Sequence, residues 1–337
     1  MSLINQIILL KKNNNLLKHE QLVHGVMLSI DQGILNRGDK LPSINTMVGE
    51  LGYARKTIVK AYEELKDRGL VESKKLKGYY IISDETKVTL RIALLLFAFH
   101  HFQEDFYNTF RKDLGKRYHI DVFFHHNNPE MFKTILSNIH GKYGKYVIAP
   151  IPDKSLIPLL ERIPPKKLLI IDRFLPISEK YSYISQEFEQ NTYGRLVELL
   201  PQIVKYNNIV LFFDPASAAP KEILNAFSRF IKENGLKAIV KEKFEAGTLE
   251  KGNLYFCATD TFLWKVLGDC HNSSFQLGKD IGVLSRDDHV VKEIVLGGIT
   301  TISTDFNHMA KMAAKCIKQG SQIRTIMKTK LIKRGSL

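Results

Sequence analysis

Gly33-Ile34-Leu35-Asn36-Arg37-Gly38-Asp39-Lys40-Leu41-Pro42-Ser43 stands between two helical patterns, and its punctuation decides how the N-terminal part folds. Upstream, Leu22, Val26 and Ile30, with Val23 and Met27, recur at helical spacing, and Gly33 closes that helix. Downstream, Ser43 precedes Ile44, Met47, Val48 and Leu51, a short helix with a hydroxyl N-cap, and Gly52 ends it. A third helix begins near Ala54, keeps Ile58, Ala61, Tyr62 and Leu65 on one face and stops at Gly69. Leu70-Val71-Glu72 and Tyr79-Tyr80-Ile81-Ile82 then read as the strands of a β-hairpin around Ser73 to Gly78. Asn13 to Asn15 reads as a polar break ahead of the first ordered element. Three helices and a hairpin in this order make a winged helix-turn-helix.

That motif places the N-terminal side chains of its third helix in the major groove of a duplex. Arg55 is the candidate for a guanine contact, because its fork matches O6 and N7. Thr57 and Lys60, with Lys56 beside them, read as phosphate ligands that fix register. Ser43 and Asn45 open the preceding helix. The wing carries Lys74, Lys75 and Lys77 with the turn residue Gly78 and Tyr79, and no acid between Lys74 and Tyr80. The bland alternative, a solvated basic turn, is outweighed by its position after a helix-turn-helix pattern.

The chain has 337 residues, 49 Lys+Arg against 35 Asp+Glu and a formal net charge of +14, which favours a polyanionic partner. At about 100–200 residues per domain, two domains are expected. Cys257, Cys270 and Cys316 are widely spaced and odd in number, so they fit core thiols in a reducing cytoplasm and no disulfide framework. The longest apolar run, Ile92 to Phe99, falls far short of the roughly 20 residues that cross a bilayer. The N-terminus lacks the charged region and cleavage site of a signal peptide. A cytoplasmic protein with no membrane partner is the expectation.

Past a polar joint at 83–87 the texture changes. Apolar runs at Ile92–Phe99, Asp121–Phe124, Tyr146–Ala149, Leu168–Ile171, Ile209–Phe213, Leu236–Val240, Leu254–Ala258 and Ile281–Leu284 alternate with helical stretches. This is the texture of parallel sheets covered on both faces. Eight or nine strands over about 250 residues divide naturally into two doubly wound lobes. The expected fold class is α/β: a winged helix-turn-helix at 1–82, a linker at 83–87, and a two-lobe domain at 88–337.

The stretch quoted first resembles the GntR-family signature G-x-L-x-x-G-D-x-L-P-S, and Leu51 to Tyr62, Leu65, Gly69 to Val71 and Lys77 to Ile81 continue the likeness. It departs at Asn45 and Val59, where many members carry arginines. The body resembles the sugar-binding region of LacI/GalR-type repressors, a type I periplasmic-binding-protein fold. Leu168 to Pro176, Ile281 to Asp288, Leu296 to Ile302 and Lys330 to Ser336 carry this looser match, with Ser285-Arg286 and Gln186-Glu187 departing from the usual residues. The combination resembles the arabinose-repressor type. It implies a homodimeric regulator, a repressor of carbohydrate genes, that binds a double-stranded DNA operator and a small effector, a monosaccharide or sugar phosphate.

A two-lobe binder holds its ligand where the C-terminal ends of strands from both lobes meet. A sugar there needs polar side chains for its hydroxyls and an aromatic face for its C–H surface. The candidates after successive strands are Phe106, Asn127, Arg173, Glu187, Asp214, Lys221, Asp260 and Asp287. For each acid the competing role is a helix N-cap, and Asp172 competes as a structural partner of Arg173. The paired histidines His100-His101 and His125-His126 lack H-x-x-x-H or H-E-x-x-H spacing, so no metal site or cofactor is expected. Neither a nucleophile elbow nor a phosphate loop is visible. An enzyme fused to a DNA-binding head, or a body that only dimerises, are the rival readings.

Overall fold

The computed structural model describes residues 2–11, 16–86, 90–98, 101–217 and 219–337. Lys87 of the expected joint, Val88, Phe99, His100 and the expected break at Asn13 to Asn15 lie outside the described residues.

The head comprises α1 (Leu3–Leu10), α2 (Lys18–Asp31), α3 (Ile44–Leu51), α4 (Arg55–Asp67), β1 (Val71–Lys74) and β2 (Gly78–Ile81). Ser43 caps α3, its hydroxyl accepting the Thr46 N–H at 3.1 Å, and Gly52 ends that helix in the left-handed conformation. Leu22, Val26, Met47, Ile58, Tyr62 and Leu65 pack with Leu70, Val71 and Ile81 into one core. That arrangement is the winged helix-turn-helix the spacing predicts. Two details differ. The wing strands run to Lys74 and Gly78, paired from Val71↔Ile81 to Lys74↔Gly78, so the turn is shorter than the six residues expected. An additional helix, α1, precedes the first expected element. It buries Leu3 and Ile7, and Gly25 on α2 lets it in, since a Cβ there would collide with Ile7.

In the body, the N-lobe holds β3 (Leu90–Leu96), α5 (His101–Leu114), β4 (Tyr118–Phe124), α6 (Pro129–Ile139), β5 (Lys145–Ile148), α7 (Ile157–Leu160), β6 (Leu168–Arg173) and β7 (Ser182–Gln186). The C-lobe holds α8 (Glu189–Glu198), α9 (Leu200–Ile203), β8 (Asn208–Phe212), α10 (Lys221–Asn234), β9 (Ala238–Lys241), β10 (Asn253–Cys257), α11 (Asp260–Asn272), β11 (Gly282–Arg286), α12 (Val290–Ile294) and β12 (Thr300–Thr304). The chain then returns: α13 (Phe306–Gln319) and β13 (Arg324–Met327) join the N-lobe, and β14 (Thr329–Ile332) joins the C-lobe.

Each lobe is a six-stranded sheet, ordered β4-β3-β5-β6-β7-β13 and β9-β8-β10-β11-β12-β14. Every pairing in them is parallel except β12 with β14. Separate apolar clusters cover the two faces of each sheet. The body has more strands than the eight or nine expected. Ser182–Gln186 and Thr300–Thr304 are buried strands built largely of hydroxyl and amide residues, and a search for apolar runs passes over them. The three passages between the lobes, after β7, β12 and β13, bring the C-terminal ends of both sheets to face each other.

Candidate functional site

The head presents one basic face. Arg55 and Lys56 open α4 and Lys60 follows one turn on, all exposed, while Ile58, Ala61, Tyr62 and Leu65 point into the core. Arg55 is held across the turn, donating from Nη1 to Asn45 Oδ1 at 2.5 Å. Thr57 is half-buried beside them. In the wing, Lys74 pairs with Glu72 at 3.1 Å and lies over the Tyr80 ring. Lys75 and Lys77 are exposed in the turn. Two residues of the expected set have structural duties as well. Ser43 is the α3 cap, and Tyr79 packs edge-on against Tyr62 with ring centres 4.8 Å apart.

A cavity of about 690 Å³ separates the lobes. Its N-lobe wall carries Phe97, His101, Phe102, Asp172 and Arg173; its C-lobe wall carries Asp214, Phe244, Asp260, Trp264, Arg286 and Asp287. His101 and His289 stack across the two lobes with ring centres 3.9 Å apart. Phe188, at the first passage, lies between two guanidinium groups, with Arg173 5.0 Å and Arg286 5.5 Å from its ring centre. Arg286 is buried and donates to Thr192 Oγ1 at 3.0 Å. Burial pulls its guanidinium below the ordinary arginine range, against the opposing pull of Asp287.

Two carboxylates at this floor sit in the left-handed backbone region that favours glycine, Asp172 at φ 64° and Asp287 at φ 53°. Such strain persists only where surrounding contacts hold it. Asp172 accepts a bond from Gln186 Nε2, and Gln186 Oε1 accepts from Thr304 Oγ1 at 2.5 Å. Burial pushes the Asp172 carboxyl up, with Arg173 and Gln186 opposing. The Asp287 turn is held by Lys292, which is wholly buried. Its ammonium donates to Asp260 Oδ1 at 2.5 Å, to Ser285 Oγ at 3.2 Å, and to the carbonyls of Arg286 and Asp287 at 2.5 and 2.6 Å. Neighbouring Asp288 also borders the cavity, and its carboxylate takes two bonds from Arg334 at 2.6 and 2.9 Å. Burial pushes its carboxyl up, but those bonds and one from Thr301 outweigh it and hold the group below the usual carboxylate range.

Of the ligand candidates read from the sequence, Arg173, Asp214, Asp260 and Asp287 line this cavity. The other four are placed elsewhere. Phe106 is 2% exposed in the core beneath the N-lobe sheet; one turn earlier, Phe102 takes the place at the cavity. Asn127 occupies a tight left-handed turn, its N–H donating to His125 Nδ1 at 3.2 Å. Glu187, one residue before the N-cap Phe188 of α8, turns its carboxylate onto the helix end and accepts the N–H groups of Glu189, Gln190 and Asn191 at 2.8, 2.9 and 2.9 Å. Lys221 begins α10 on its exposed side, while Pro220 and Ile223 face the cavity. The sequence reading missed Phe188, Arg286, Trp264 and Lys292. Two signals were available: Trp264 is the only tryptophan of the chain, and Arg286 departs from the usual residue in the Ile281 to Asp288 stretch.

Among the described residues no group of three or more His, Cys, Asp or Glu side chains is arranged to hold a metal, and no helix is long and apolar enough to cross a membrane. His125 is buried and donates to the Ala149 carbonyl at 2.9 Å.

A winged head joined to a two-lobe α/β body with a polar, aromatic cleft defines a protein of two modules. Residues 18–81 match the family model of bacterial regulatory proteins, gntR family, so the head is a gntR-type helix-turn-helix. The head is also similar to the HTH-type transcriptional repressor YtrA of Bacillus subtilis, at 35% identity over 72 residues, 21% of this chain and 55% of that protein. The chain thus spans about half the length of that relative. The body shares its fold with LacI family regulators. One from Lactobacillus casei with bound sucrose superposes with a TM-score of 0.63 at 15% identity, over 73% of this chain and 99% of the other. The trehalose repressor of Escherichia coli does so with 0.60 at 14% identity, over 72% and 99%.

Proposed function

We propose that this chain is a ligand-responsive, DNA-binding transcription regulator, acting in the cytoplasm as a homodimer and as a repressor of carbohydrate genes. It is a binding protein in this reading, not an enzyme. The observation that carries it is the union, in one chain, of a gntR-type head with a two-lobe body whose cleft collects aromatic rings and charged side chains. The head's exposed Arg55, Lys56 and Lys60 crowd the positive end of α4, where cations are unfavourable until an anion arrives. DNA phosphate is that anion, with Asn45 steering the Arg55 fork and Lys75 and Lys77 reaching a neighbouring phosphate.

In the cleft, Arg173, Asp214, Asp260 and Asp287 offer donors and acceptors to hydroxyl groups, and Trp264 offers a face to a sugar ring. The LacI-fold neighbours with bound glucose and sucrose support a small saccharide as the effector. Ligand would favour one lobe arrangement and shift DNA affinity by its preference for that state.

The test has two arms. A thermal-shift panel of mono- and disaccharides and their phosphates is expected to yield a stabilising sugar, since a ligand at 100 times its Kd adds about 2.7 kcal/mol. Selection from random duplexes is expected to yield a two-fold symmetric site. No enrichment of any duplex would overturn the DNA reading; a flat panel would overturn the saccharide class.

A further inference from the structure

The head is seated on the body. The C-terminal end of the recognition helix α4 meets the end of the N-lobe sheet opposite the cleft. Gly144, just before β5, touches it so closely that a Cβ would lie 2.7 Å from the Asp67 carbonyl oxygen and would also strike Leu90. Gly144 is not among the positive-φ residues, so it is lack of space that requires glycine here, the rigid obstacle being the Asp67 backbone of the head beside the flexible tip of Leu90. At Gly69 a Cβ would lie 2.6 Å from Arg91 Cδ. Asp67 forms an ion pair with Lys167, with side chains 30% and 26% exposed.

The linker is tied down beside this contact. Thr86 donates to Asp31 Oδ1 at 2.6 Å. Glu85 lies 3.6 Å from His119, which contacts Asp121 at 3.2 Å, and Asp121 accepts from Arg91 at 2.7 Å.

The seat and the cleft are opposite ends of the same strands. Arg91 is the second residue of β3, and Phe97, just past its end, lines the cavity. Lys167 immediately precedes β6, which ends in the cavity residues Asp172 and Arg173. A strand buried in a sheet is stiff along its length, so a displacement at the cleft end arrives at the seat.

We propose that the N-lobe rim formed by Arg91, Gly144 and Lys167 is a docking seat for the head, latched by Asp67–Lys167, through which the state of the cleft sets the orientation of the recognition helix. The role assigned to the seat rests on the head being the DNA-binding module, while the seat itself is testable without DNA.

The first experiment uses the full chain alone. Asp67→Lys and Lys167→Asp each place like charges together and are expected to speed protease release of the head from the body several-fold. The double swap Asp67→Lys with Lys167→Asp is expected to return the rate to that of the native protein. Equal rates in all four proteins, or a swap that behaves like the single variants, would overturn the seat.

The second experiment reads coupling at the cleft without any sugar. Trp264, the only tryptophan and 42% exposed at the cavity, reports on the cleft. Because coupling is reciprocal, a selected duplex should change its emission in the native protein. That change is expected to disappear in Lys167→Asp, which keeps all the DNA-facing residues, and to return in the double swap. A Trp264 response that is absent in the native protein, or equal in all variants, would overturn the coupling. Failure of every duplex to bind would strike the DNA reading instead, leaving the protease result to judge the seat.

Discussion

Lys292→Met tests whether one buried ammonium holds the C-lobe side of the cleft together. Methionine replaces the aliphatic stem of the lysine with little change of volume, so the loss is confined to the charge and its bonds. Four acceptors lose their donor: Asp260 Oδ1, Ser285 Oγ, and the carbonyls of Arg286 and Asp287. Removing one partner from a buried ion pair costs about 3–5 kcal/mol. Asp260 is 43% exposed and recovers water, which lowers its share. The two carbonyls do not recover it as easily, and each unsatisfied buried acceptor costs about 1–3 kcal/mol. A loss of about 3–4 kcal/mol from the C-lobe is therefore expected. Urea unfolding followed by Trp264 emission reports that lobe, because Trp264 lies on α11. The same variant should bind saccharide more weakly, since Asp287 keeps its left-handed turn only while its carbonyl is held. An unchanged urea midpoint together with unchanged saccharide affinity would refute the reasoning.

Arg55→Ala should weaken operator binding by about 1–3 kcal/mol and relax selectivity at one base position; Asn45→Ala, which frees the Arg55 fork, should relax selectivity at that same position, and both are read by titrating duplexes with single-base changes. Lys75→Ala or Lys77→Ala should weaken binding to all sequences alike and reduce its salt dependence, so a sequence-dependent effect would count against a phosphate contact. Asp287→Ala should lower saccharide affinity by about 1.5–3 kcal/mol, the value of a charge-assisted bond, with calorimetric titration as the check and unchanged affinity as the refuting result. Burial holds His125 at about 4, so as pH falls from about 6.5 the unfolded chain takes up the proton first. Stability of the N-lobe should then decline between about pH 6.5 and 4. Urea midpoints across that range should fall for the native protein and flatten for His125→Asn.

The head was legible in the sequence because its information is local. Ser43 caps within three residues, Gly52 and Gly69 stop helices where they stand, and the apolar face of α4 repeats within four turns. What escaped there was α1, whose cap is the serine next to the first residue, Ser2, and whose apolar run passes into lysines and asparagines without a glycine or proline stop. The body's two-lobe plan was also legible, since buried parallel strands declare themselves as apolar runs. The cleft was legible only in half, for reasons of phase. Phe102 and Phe106 differ by one turn of the same helix, and only the helix's starting point decides which reaches the cavity. Glu187 and Asp287 are both acids just past a strand end. One meets the free N–H groups of α8 and caps it, while the other is turned by a left-handed backbone towards the cleft. Arg286 and Phe188 come from different strand ends and meet only because the passages between the lobes bring them together, a relation with no trace in local spacing.

The polar residues missed as strands mark where the two lobes can move. Each lobe has its own apolar clusters on both faces of its sheet, so the two can turn without repacking a shared core. Between them, hydrogen bonds run from Thr304, at the end of β12 in the C-lobe sheet, to Gln186, at the end of β7 in the N-lobe sheet, and on to Asp172 on β6. Hydroxyl and amide groups suit this position because their bonds survive a change of angle, whereas interlocked apolar side chains would resist it. Asp172 is also part of the cavity floor and the last but one residue of the strand that begins beside Lys167. A hydroxyl that competes with Gln186 for this carboxyl would loosen the pivot and strain β6 at the same time. In the proposed regulator, that makes Asp172 the residue where occupancy of the cleft is converted into movement. Asp172→Asn, which keeps the shape and one acceptor oxygen but removes the negative charge that Gln186 and Arg173 face, should leave the Asp67–Lys167 latch and head release by protease as in the native protein. It should nevertheless abolish the Trp264 response to a bound duplex. A native-sized response in that variant would place the conversion elsewhere in the cleft.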